Sequence, residues 1–148
     1  MQIISLVNKA TNEIRESYGL ENFDIPPENI HIVFEKAWLR LEKDNESVAL
    51  YSPMMQGILM REQPAKIVFA EKLFHEMLHF KSYNALQVTN SENPELDGYR
   101  IGLIVHTRDG KKTYFRNLNE AVDVEMVKRF IVKLSNNPLF TKELEQTK

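Results

Sequence analysis

The chain has 148 residues, with 19 basic and 21 acidic side chains and a net charge of -2. That size supports one domain around one core and excludes a multidomain machine, and so even a charge balance does not mark a nucleic-acid or membrane surface. Cysteine is absent, so disulfides, thiol nucleophiles and Cys-ligated metal sites are excluded, and any metal must sit on His, Asp, Glu or water.

No apolar run approaches the roughly 20 residues needed to span a bilayer. The N-terminus turns polar too soon for a signal peptide. A cytoplasmic protein is therefore expected, with no membrane or nucleic-acid partner and no obligate protein partner. Ile3, Ile4, Val7, Ala10, Ile14 and Tyr18 recur at near-helical spacing and predict a first amphipathic helix that stops at Gly19. Pro26-Pro27 ends any continuation. Ile30, Ile32 and Phe34 alternate with His31 and Val33, as in a strand. Residues 35–47 read equally well as a short helix or an extended segment. Val48–Tyr51 and Gly57–Met60 flank Ser52-Pro53-Met54-Met55, the pattern of a hairpin.

Pro64 stands where a helix would begin, and residues 65–87 contain no Gly or Pro. Phe69, Leu73, Met77, Phe80 and Ala85 give this helix a broad apolar stripe, suited to burial. Residues 88–98, with Asn93-Pro94 and Asp97-Gly98, read as a loop. Tyr99–His106 and Lys112–Phe115 flank Asp109-Gly110, a hairpin signal. Ala121, Val124, Val127, Phe130 and Ile131 predict a last helix over Leu118–Leu134, ended by Asn136-Asn137-Pro138. The polar tail from Leu139 reads as loose or weakly docked. The expected class is α+β: a small mixed or antiparallel sheet packed on the central helix, with helices at both ends of the chain.

The chemistry concentrates on the central helix, at His75-Glu76-Met77-Leu78-His79. Residues i and i+4 share a helix face, so two imidazoles there can bind one Zn²⁺. Glu76 is turned about 100° from His75. That places it to reach a water beside the metal rather than to act as a further ligand, which is the position of a general base. The third ligand decides the type of site. A Gly at 82 and a His at 85 would extend the motif, but these positions hold Ser82 and Ala85. A cysteine ligand is impossible. The remaining common solution is a glutamate from a downstream helix, and Glu120 stands in the first turn of the last predicted helix, where the helix dipole also favours a carboxylate. His31 and His106 remain rival ligands.

The pair His75-Glu76-Met77-Leu78-His79 and Asn119-Glu120-Ala121-Val122-Asp123 resembles the gluzincin metallopeptidases. The short chain resembles their reduced single-domain branch, the minigluzincins, over about residues 48–134. The resemblance implies a zincin-like domain over residues 1–135, with a C-terminal tail at 136–148. It implies one catalytic Zn²⁺ held by His75, His79 and Glu120, with Glu76 as base. The larger gluzincins carry an Asp four residues after the ligand Glu, where it orients the first His. Here that position is Val124, and the nearest Asp is Asp123, which is a neighbour on the same helix face. Candidate donors to an oxyanion are Tyr83, Tyr99 and His106. The expected function is a zinc-dependent endopeptidase acting on a peptide or protein substrate. The resemblance also implies a latent, zymogen-like form whose C-terminal segment blocks the cleft. The alternative is a zinc-binding regulatory or interaction module without efficient proteolysis.

Overall fold

The structure is a computed structural model that describes residues 1–41 and 47–145. It is a mixed α+β fold built around one buried helix. The first helix, α1 (Gln2–Ser17), leads through a short turn to strand β1 (Ile30–Val33) and helix α2 (Glu35–Leu41). The hairpin of β2 (Ala49–Ser52) and β3 (Gly57–Arg61) precedes helix α3 (Lys66–Lys81). Four short strands follow: β4 (Asn84–Val88), β5 (Leu96–Ile101), β6 (Ile104–His106) and β7 (Thr113–Tyr114). Helix α4 (Arg116–Leu134) and a final helical turn, α5 (Thr141–Glu145), complete the order.

There are two sheets. In the first, β3 lies between β1, which is parallel to it, and β2, which is antiparallel and forms an edge. The second is an antiparallel sheet in the order β4-β5-β6-β7. Helix α3 packs against the first sheet through β2 and β3 and against α1 and α4 with other faces. Being covered on several sides explains its broad apolar surface. Leu73, Phe74 and Met77 of α3 meet Ile58 and Met60 of β3, Val7 of α1, and Phe130 and Leu134 of α4 in one core. Phe74 and Phe130 stack with centroids 4.1 Å apart, tying α3 to α4 at the residue next to His75. Among the described residues, no helix is long and apolar enough to cross a membrane.

The structure departs from the sequence reading in four places. Helix α3 ends at Lys81 rather than running to 87. Ser82 Oγ donates to the His79 carbonyl at 2.6 Å, and Asn84 Nδ2 donates to the carbonyls of His79, Phe80 and Ser82. Side-chain donors thus satisfy the last carbonyls and release the backbone to form β4. Asp97-Gly98 lies inside β5 rather than in a loop, where Gly98 opposes Leu86 beside a register shift at Ala85/Leu86. The run predicted as one strand from Tyr99 to His106 is broken by a turn at Gly102, whose φ is +57°. A Cβ there would lie 2.6 Å from Asn119 Oδ1, so both the backbone and the space require glycine.

The fourth departure concerns the tail, which belongs to the domain instead of hanging from it. Phe140 is completely buried in the main core, with Leu139 packed against it. The α3 N-terminus has no capping side chain of its own. Glu143 takes that role: its carboxylate accepts from the Lys66 and Ile67 amides at 3.0 and 2.9 Å, where the helix dipole also favours a negative charge. Phe140→Ala should therefore destabilise the protein by about 3–5 kcal/mol in urea denaturation. A loose tail would instead leave the midpoint unchanged.

Candidate metal centre

Helix geometry brings the histidine pair together. His75 and His79, one turn apart on α3, face each other with Nε2 atoms 3.1 Å apart. Glu120 arrives from α4, with Oε2 at 3.3 Å from His75 Nε2 and Oε1 at 3.6 Å from His79 Nε2. Because α4 begins at Arg116, Glu120 sits in its second turn rather than its first. Approach to α3, rather than the helix dipole, is what positions it. The three donor groups offer atoms within 4.8 Å of one another and could hold a metal ion. Zinc bonds of about 2.0–2.1 Å at tetrahedral angles would set neighbouring donors about 3.3–3.4 Å apart. The observed separations bracket that value, so the donor set fits zinc.

Electrostatics prepares the same groups. Burial lowers the pKa of His75, against the opposing pull of Glu120. Burial, reinforced by His75, brings His79 down to about 4. Both rings are therefore neutral near pH 7, the form that ligates a metal. Their contacts with Glu120 are then contacts of neutral imidazoles with a carboxylate, not ion pairs. Glu76 is buried beside them, at 7% exposure. Its pKa rises to about 7, chiefly through burial and secondarily through Glu120 and Asp123, with a backbone hydrogen bond from Tyr51 opposing the rise.

A polar chain runs behind His79. Its Nδ1 lies 3.4 Å from Asp123 Oδ2. That carboxylate accepts from Asn119 Nδ2 at 2.6 Å, and Asn119 Oδ1 accepts from the Leu103 amide at 2.9 Å. Burial, aided by Glu120, raises the Asp123 pKa to about 7. A carboxylate on Nδ1 leaves Nε2 with its lone pair toward Glu120 and His75. Asp123 thus braces the second histidine of the motif, not the first, and Val124 lies on the cleft wall.

The other candidates separate. His106 lines the same cleft, with Nδ1 3.3 Å from Thr113 Oγ1. Tyr83 is 66% exposed and lies under Arg100, because α3 stops before reaching it. Tyr99 is also exposed, and neither tyrosine lines the cleft. His31 is exposed on β1 against Gly57, away from the cleft. The described tail residues do not line the cleft either. They dock at the α3 N-terminus, nine residues or about 13 Å along the helix axis from His75. The expectation that residues 136–148 block the cleft is therefore corrected for the described part of that segment, residues 136–145.

Two participants were not anticipated from the sequence. Tyr51 serves Glu76 through its backbone, which no side-chain pattern reveals. Arg116 lines the cleft, and its place four residues before Glu120, on the same helix face, was a readable signal. No family model, curated protein or solved structure matches the chain.

Replacing Glu120 by Ala should remove a ligand and abolish tight zinc binding in a competition titration with a chromophoric chelator. Asp123→Ala should keep all three ligands but weaken zinc about 10–100-fold. Wild-type affinity in Glu120→Ala would exclude it as a ligand and bring His106 forward.

Proposed function

We propose that this protein is a zinc-dependent metallopeptidase of gluzincin type, with a zincin-like catalytic domain. The observation that carries this reading is the convergence of His75, His79 and Glu120 beside the buried carboxylate of Glu76, beneath an edge strand. A site that only stored metal would gain nothing from burying Glu76, since burial of a carboxylate held by one backbone hydrogen bond and no ion pair is costly.

The residues divide the work. His75, His79 and Glu120 would hold the ion, and Asp123 fixes the ring of His79. Zinc, when bound, supplies a Lewis acid that activates water near neutral pH and polarises a carbonyl. Glu76 accepts the proton of the attacking water at its carboxylate and returns it to the departing amine. A pKa of about 7 suits both roles. The edge strand β2 carries Leu50 and Tyr51 along the cleft wall and can pair with an extended peptide by strand addition. His106, which lines the same cleft, is the candidate to donate to the developing oxyanion.

Glu76→Gln separates catalysis from metal binding. The variant should retain one zinc per chain, while turnover of a fluorogenic peptide falls about 10²–10⁴-fold. Because burial raises the pKa of Glu76, folding stability is lost as pH rises from the ordinary carboxylate range through about 7. The metal-free Gln variant should therefore melt at or above the wild-type temperature at pH 8. Loss of zinc would make Glu76 a ligand or structural group, and undiminished turnover would place the base elsewhere. Stoichiometric zinc without cleavage of any peptide by the wild-type chain would favour a binding module.

A further inference from the structure

The cleft is asymmetric about the metal centre. His75 and Glu76 form the floor of two adjoining cavities that share the wall at Ser47 and Ala49. One, of about 740 Å³, is walled mainly by Val124, Val127, Ile131 and Val132 of α4, with Lys128 of α4 and the Glu71–Lys72 pair of α3 also lining it. The other, of about 410 Å³, is walled by Tyr51, Ile101, Ile104, His106 and Arg116. An aliphatic wall flanks one side of the reacting centre, and a guanidinium and an imidazole flank the other.

Arg116 has a specific reason to be noticed. It stands one helical turn before Glu120, the spacing at which Arg and Glu ordinarily pair on a helix surface. Glu120 instead turns both oxygens to His75 and His79. Among the described residues, Arg116 makes no ion pair. On the α4 side, Lys72 is already paired with Glu71 at 2.9 Å, and Lys128 at the rim of that cavity is exposed. Arg116 is therefore a planar five-donor group in the cleft wall with no carboxylate of its own. An Arg in that condition matches a carboxylate in two-pronged geometry.

We infer that the cleft selects acidic peptides: an Asp or Glu side chain on one side of the bond at the metal centre is read by Arg116, and an aliphatic side chain on the other fills the α4 cavity. The inference rests on the peptidase reading for the orientation of a peptide along β2. It makes Arg116 a specificity-determining residue with no part in the proton transfers.

Binding tests it without requiring turnover. The probes are short fluorescein-labelled peptides with one Val and, on either side of it in turn, a Glu, Gln or Lys. They are titrated by anisotropy into zinc-loaded Glu76→Gln protein, alone and combined with Arg116→Glu or Arg116→Gln. Melting and zinc content establish that each variant is folded and loaded. The Glu peptide should bind about tenfold more tightly than the Lys peptide in one of the two orders, and added salt should shrink the difference. Arg116→Gln should level it and Arg116→Glu should reverse it. Equal affinities for the Glu and Lys peptides, or a preference unchanged in Arg116→Glu, would overturn the inference. The wild-type chain with the same peptides separates the two readings. Charge-dependent binding without cleavage sinks the peptidase and leaves the selectivity standing. Cleavage without charge preference sinks the selectivity alone. Failure of every peptide to bind sinks both.

Discussion

Helices α3 and α4 approach closely enough that a carboxylate of one lies between two imidazoles of the other, and most of the molecule follows from that approach. It is held from the apolar side by the stacked rings of Phe74 and Phe130, and from the polar side by Asp123 against His79. The first contact uses burial, which is strong and non-directional. The second uses hydrogen bonding, which is weaker but sets orientation. Together they set the spacing of the donor atoms. The cost is that two imidazoles and two carboxylates, Glu76 and Asp123, lose much of their solvation in one small region, which is why all four titrate away from their ordinary ranges. A divalent cation is the group whose charge relieves that crowding.

The brace on His79 extends further than the two helices. Asn119 joins Asp123 to the turn between β5 and β6, and Gly102 leaves that side chain its room. The small second sheet therefore does more than supply His106 to the cleft. It clamps the first turns of α4, so the angle at which Glu120 arrives depends on a glycine that touches no donor atom. The same sheet presents Ile101 and Ile104 to the cleft wall, so one short hairpin contributes to both cleft shape and the bracing of α4.

Periodicity made part of this legible in advance. The spacing of Ile3 to Tyr18, the hairpin around Pro53 and the Asp109-Gly110 turn each correspond to an element, because local pattern and tertiary environment agree there, whereas β1 forms at Ile30–Val33 although Ile32 and Phe34 of its apolar alternation are exposed. The end of α3 was not legible. Ala85 prolongs the apolar stripe, and the stop comes from Ser82 and Asn84 side chains bonding backward, not from a Gly or Pro. The tail was misjudged for a related reason. One aromatic ring and one capping carboxylate dock it, and neither makes a periodic signal in a short polar stretch. In the site, the i, i+4 rule sufficed for His75 and His79 because the whole relation lies within one helix. Glu120, Asp123 and Tyr51 come from other elements, so their distances depend on packing that spacing alone does not encode.

The cap on α3 has a consequence for how the chain is made. The amides of Lys66 and Ile67 wait for a carboxylate 77 and 76 positions later, one of the longest-range contacts in the molecule. Such contacts close late, because the loop entropy must be lost before they form. During synthesis, α3 would emerge with its amino end open and its Phe140 neighbour absent, and only the final turns complete both. The amino end of the helix that carries His75 and His79 would thus be completed only once Glu143 has been made.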